Sequence, residues 1–87
     1  MQKRYDEALT TRLEEAVHNG CAHVTWSELY LWYGVRKIAA GTYRDLDQRM
    51  KEVGGGAVKP RMVEGRGGIF IYDAAKSKRI DPDAEKK

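Results

Sequence analysis

Apolar residues recur along this chain in two rhythms, one helical and one alternating. Tyr5, Leu9, Leu13, Ala16 and Val17 fall at helical spacing and predict a first helix from about Lys3 to His18, with Asp6, Glu7, Arg12, Glu14 and Glu15 turned to water. Asp6 and Glu7 near its start suit the helix dipole, and Asn19-Gly20 supplies a left-handed stop. Trp26, Leu29, Trp32 and Tyr33 predict a second helix that ends at Gly34, and its aromatics are expected at the centre of the core. Tyr43, Leu46, Met50 and Val53 form the apolar back of a third helix, Gly41 to Val53, whose polar front carries Arg44, Gln48 and Lys51. Such a helix presses on a core and leaves its long-armed front to touch something else.

The connecting stretches carry their own signals. Cys21 to Val24 reads as a short first strand, and Thr25-Trp26-Ser27-Glu28 as a capping box, in which the threonine hydroxyl takes the third amide and the glutamate reaches back. Between Val35 and Ala40, either Arg36 to Ala39 adds a helical turn or the third helix starts before Thr42. Gly54-Gly55-Gly56 stops that helix. Ala57 to Val63 and Ile69 to Tyr72 read as strands, with Pro60 restricting the first to an edge or a bulge. Between them, Glu64-Gly65-Arg66-Gly67-Gly68 reads as a tight turn whose glycines permit positive φ angles. After Asp73 the apolar content falls, and Lys76 to Lys87 reads as a mobile tail or a short terminal helix. The division is therefore one domain over 1–73 and a polar tail over 74–87. A helix with a free polar front followed by a glycine-tipped hairpin predicts an α+β fold, a small winged helix-turn-helix: three helices plus a two- or three-stranded antiparallel β-wing.

Composition and charge sharpen this picture. At 87 residues, a chain buries only about 60% of its unfolded surface, so pairing with a second copy would add stability. No apolar run approaches the roughly 18 residues of a membrane span and the N-terminus lacks a signal-peptide core, which points to the cytoplasm. The one cysteine, Cys21, agrees with a reducing compartment. The net charge of +3 is unevenly spread: residues 1–35 hold three basic and five acidic groups, whereas 36–79 hold eleven basic and five acidic. The basic excess thus coincides with the third helix and hairpin, where a phosphate backbone would sit.

The stretch GTYRDLDQRM resembles the recognition helix of bacterial winged regulators of the GntR and MarR types, with Thr42, Tyr43, Arg44, Leu46, Arg49 and Met50 filling the pattern. LYLWYGV resembles the helix and turn before it, and EGRGGIFI is similar to the GntR-type wing. The resemblance covers Trp26 to Tyr72. It implies a sequence-specific regulator of transcription, a repressor, that sets the helix over 41–53 in the major groove of double-stranded DNA and the wing over 61–72 in the minor groove, as a homodimer. Arg44 and Gln48 are then expected at base edges, where arginine pairs with guanine and glutamine with adenine. Thr42, Lys37 and Lys51 are expected on phosphates, Arg66 in the minor groove beside Gly67, and Arg36 and Arg61 complete the set.

Other chemistries are poorly supplied. His18, Cys21 and His23 form H-x-x-C-x-H, but a structural zinc site wants four ligands, and a helix end followed by a small buried thiol is the better reading. Glu14-Glu15 and Asp45/Asp47 offer carboxylates but nothing pairs them across a pocket, and no triad or P-loop appears, so neither an enzyme nor a cofactor is expected. The alternative is a winged domain that engages a protein, an inhibitor or adaptor of phage or plasmid type, since fold does not dictate function. One geometric feature separates the two: DNA binding predicts that Arg44, Lys51 and Arg66 converge on one concave basic face while Asp45 and Asp47 point elsewhere.

Overall fold

The computed structural model describes residues 1–78 and 80–83. The element order is α1 (Lys3–Asn19), β1 (Cys21–Thr25), α2 (Trp26–Tyr33), α3 (Ala40–Gly54), β2 (Pro60–Glu64) and β3 (Gly68–Asp73). The three strands form one antiparallel sheet in the order β1-β3-β2. Three helices on one side of a small antiparallel sheet, with β2 and β3 as a terminal hairpin, give an α+β domain of winged-helix layout.

Local chemistry fixes most boundaries. Gly20 ends α1 at φ 90° and Gly34 ends α2 at φ 63°, both in the left-handed region that favours glycine. Thr25 and Glu28 form the expected capping box, each bonded to the other's backbone N–H at 3.1 and 3.0 Å. The α2–α3 connection contains no helical turn. Instead α3 begins at Ala40, the second of the two sequence alternatives. Pro60 opens β2, an edge strand, where its missing N–H removes no ladder bond from the sheet interior.

The core is aliphatic. Leu9, Leu13 and Ala16 of α1 meet Leu29 of α2, Leu46 and Met50 of α3, Val24 of β1, and Ile69 and Ile71 of β3, all fully buried. Each large side chain so buried contributes about 1.5–3 kcal/mol. Of the aromatics expected at the centre only Trp32 is buried; Trp26 and Tyr33 sit at the rim with polar atoms engaged. A rim position lets an indole N–H or phenol O–H find a partner that an aliphatic centre does not offer.

Strand register decides the two faces of the sheet. Ala22, Val24, Ile69, Ile71 and Met62 turn toward the helices, while Cys21, His23, Phe70, Tyr72, Arg61 and Val63 fall on the opposite, solvent face. Cys21 is therefore exposed, not the buried thiol expected from its small size.

The chain just past Asp73 is bonded back to the preceding elements. Ala74 N–H donates to the Lys59 carbonyl at 2.8 Å, Ser77 Oγ to the Asp73 carbonyl at 2.7 Å, and Lys76 Nζ to the Val17 carbonyl at 2.7 Å. Buried Asp73 accepts the backbone N–H groups of Lys59 and Ala75 at 3.1 and 2.9 Å, which hold its carboxyl below the usual range, the Lys59 bond most of all and against the effect of burial. Residues 74–77 thus lock the end of the hairpin. The tail expectation for residue 79 and for residues 84–87 lies outside the described residues.

Candidate nucleic-acid interface

The outward side of α3 follows from its helical phase. With Leu46 and Met50 inward, Arg44, Gln48 and Lys51 emerge on the exposed side and, together with Asp47 and Glu52, line a shallow concavity of about 530 Å³. Arg44 has no polar partner among the described residues. Lys51 pairs with Asp47 at 3.1 Å, and Gln48 Nε2 donates weakly to Glu52 at 3.4 Å.

The two aspartates of α3 separate. Asp45 accepts from the Tyr33 hydroxyl and from Arg49 Nε, both at 2.7 Å, and Arg49 reaches on to Asp6 of α1. Burial pulls the Asp45 carboxyl upward, but the bonds from Tyr33 and Arg49 outweigh it and leave it below its usual range. Burial, then the Asp45 bond, pushes the Tyr33 hydroxyl well above its usual range. This network ties α1, α2 and α3 together and takes Asp45 and Arg49 out of the outward face. It also corrects the reading of Asp6 as a solvated residue. Asp47 stays on the outward face beside Lys51, so the basic face carries an acid that the sequence criterion placed elsewhere.

The hairpin is anchored on the other side of α3. Tyr43 donates to Glu64 Oε1 at 2.7 Å, and the two residues, with Met62 and Ile69, line a mainly apolar cleft of about 290 Å³. Burial, followed by the Glu64 carboxylate, pushes the Tyr43 hydroxyl up to about 12. The turn itself is fastened to α2: Trp26 N–H donates to the Gly67 carbonyl at 3.2 Å and Trp26 Nε1 to the Arg66 carbonyl at 2.9 Å. Among the turn glycines only Gly68 has a positive φ, 156°, and it lies so close to β1 that an added Cβ would stand 2.6 Å from the Thr25 Cα.

Of the nine sequence-predicted residues, the structure brings Arg44, Gln48 and Lys51 together on the outward side of α3. Arg36 and Lys37 lie exposed in the loop before α3, Arg44, Gln48 and Lys51 on its outward side, and Arg66 and Gly67 in the hairpin turn. Arg66 does not line the α3 concavity. Thr42 is half-buried in a groove with Tyr33, Asp45 and Arg49, turned away from the outward side. Arg61 falls on the solvent face of the sheet opposite the helices, because the register points its neighbour Met62 inward.

Sequence reasoning missed the Trp26 tether, the Tyr43–Glu64 bond, and the clamp of Arg12 on both Glu28 oxygens at 3.0 and 2.7 Å. Arg12, read as a solvated residue of α1, also donates to the His23 carbonyl at 2.7 Å. His18 stands in the last turn of α1 while Cys21 and His23 lie on the sheet, and no metal-holding group of side chains occurs among the described residues. No described helix is long and apolar enough to cross a membrane. Comparison with protein-family models, curated proteins and solved structures found no match.

Proposed function

We propose that the chain binds double-stranded DNA through the outward side of α3, with the preceding loop and the hairpin turn on either side of it. The observation that carries the reading is a division among the cations. Arg12, Arg49 and Lys51 are matched by carboxylates. The side chains of Arg36 and Lys37 in the loop before α3, of Arg44 on α3 and of Arg66 in the hairpin turn are exposed and have no polar partner among the described residues. Such groups give up no internal bond on meeting a phosphate, and counterion release favours the contact. In this reading Arg44 and Gln48 face base edges, Arg36 and Lys37 set register on phosphates, and Arg66 enters the minor groove.

The resemblance of GTYRDLDQRM and EGRGGIFI to GntR- and MarR-type regulators supports a sequence-specific regulator, a repressor, acting in the cytoplasm. A domain of this size makes few phosphate contacts alone. Two copies on a two-fold operator, with helices about 34 Å apart, would supply affinity. The reading is of a binding module, without a reaction or a cofactor.

A second reading has one observation in its favour. Asp47 and Glu52 share the concavity with Arg44 and Lys51, a mixed-charge surface that suits a protein partner. Fluorescence anisotropy with random-sequence duplex across a salt series distinguishes them, run beside Arg44→Ala/Arg66→Ala. DNA binding requires affinity that falls steeply with log salt and a shallower slope in the double variant. No binding at low salt sinks the DNA reading.

A further inference from the structure

The solvent face of the sheet is unused by the function proposed above. On β3, the central strand, Phe70 and Tyr72 point outward, and Phe70 is 50% exposed. On β1, His23 stands beside Phe70 with ring centroids 4.6 Å apart. On β2, Arg61 is level with Tyr72 and Val63 with Phe70. Lys59, exposed, stands immediately before β2, two residues from Arg61. The side chains that the three strands place on this face include no carboxylate: Glu64 and Asp73 take the opposite parity and are engaged by Tyr43 and by backbone N–H groups.

We propose that this face is a second binding surface, a stacking platform for single-stranded nucleic acid. Aromatic faces accept any base, and a flanking cationic row tracks the backbone. Phe70 and Tyr72 lie two residues apart on one strand, about 7 Å. That is about twice the 3.4 Å rise per nucleotide of a duplex strand, so bases seated on successive rings must be drawn apart. A single strand permits this and a duplex does not. The charge pattern also selects a polyanion over a second copy of the chain. A two-fold interface would set the face against itself, and neither copy would supply an acid to offset its cations. Phosphates supply what the face lacks. Arg61, which register removes from the α3 side, has its role here.

The test is anisotropy with a labelled oligothymidylate of about ten nucleotides, with labelled duplex in parallel. Phe70→Leu and Tyr72→Leu keep apolar bulk and remove the stacking plane, and circular dichroism checks that each variant is folded. Each is expected to weaken the oligothymidylate by about 5- to 100-fold while leaving duplex affinity unchanged. Arg61→Ala should weaken the single strand and flatten its salt dependence, and Arg44→Ala should leave the single strand unaffected. Absence of oligothymidylate binding by the unaltered protein overturns the proposal, as does equal binding by folded Phe70→Leu. Self-association in sedimentation that Phe70→Leu abolishes, without oligothymidylate binding, also overturns it and assigns the face to a second copy. Because duplex binding is measured separately, failure of the α3 reading and failure of this one give different results.

Discussion

The indole of Trp26, first residue of α2, holds the carbonyl of Arg66 in the hairpin turn at 2.9 Å, across 40 residues of chain. The Trp26 backbone N–H takes the neighbouring Gly67 carbonyl. A wing tip is a glycine-rich loop that would otherwise move, and ordering it on contact costs about 1–2 kcal/mol per residue. Two bonds from the start of a helix meet part of that cost before any ligand arrives. The side chain of Arg66 remains free to reach outward.

Trp26→Phe keeps an aromatic ring at the rim and deletes the indole bond alone. It should lower stability by only about 0.5–1.5 kcal/mol, read by urea denaturation. Duplex binding should weaken by more than that loss explains, and only while Arg66 is present. A double-mutant cycle with Arg66→Ala checks this, and independent effects of the two substitutions would show that the tether does not serve the arginine.

Glu28 carries the acid sensitivity of the α1–α2 junction. The Arg12 bond first, then the bonds from Thr25, hold its carboxyl down to about 2, against a usual value near 4.5. A carboxyl depressed in the folded state contributes stability that is present above its unfolded pKa and lost as pH falls through the folded one. With partial solvent screening the contribution is roughly 1–2 kcal/mol. Glu28→Gln should show that loss already at neutral pH, and its stability should change less than that of the unaltered protein between pH 5 and about 2. Parallel acid limbs in the two denaturation series would assign the acid sensitivity elsewhere.

Gly68 and Gly65 look alike in sequence and differ in space. A Cβ on Gly68 would meet the backbone of Val24 and Thr25, which cannot yield without parting β1 from β3, and its φ disfavours any side chain. At Gly65 the nearest atom is the mobile edge of the Phe70 ring at 3.5 Å, an ordinary contact. Gly68→Ala should cost about 3 kcal/mol or more, whereas Gly65→Ala should stay within about 0.5 kcal/mol. Thermal melts of the two variants decide the matter, and equal melting temperatures would contradict the close approach.

What the sequence discloses and what it hides divide by range. Thr25 and Glu28, Gly20 and Gly34, and the Leu46–Met50 pair act within one or two helical turns, so spacing alone reveals them. Arg12 finds Glu28 16 residues away, Trp26 finds Arg66 at 40, and Arg49 finds Asp6 at 43. No local pattern encodes those partners. Parity is the second gap. A one-residue uncertainty in register moves Arg61 or Cys21 from one side of a sheet to the other, and short strands flanked by glycine or proline leave that uncertainty open. The outward α3 residues are legible because a helix of 15 residues repeats its own phase several times.

The Asp47–Lys51 pair at 3.1 Å sets the last prediction, because the two readings of the α3 face demand different results. An exposed pair of this kind contributes about 0.3–0.5 kcal/mol to the helix, so removing it leaves the fold intact. If the face meets DNA, Asp47 repels phosphate and occupies a cation. Asp47→Asn should then tighten duplex binding by roughly 3- to 10-fold at low salt and steepen the log-log salt slope by about one, as Lys51 gains a phosphate. Lys51→Ala alone should change binding far less than Arg44→Ala, since its charge is already matched. If the face meets a protein, Asp47 is one half of a complementary pattern, and Asp47→Asn leaves duplex affinity where it was. The slope is the decisive quantity, because altered helix stability shifts the affinity at every salt concentration alike, whereas a new phosphate contact changes its dependence on salt.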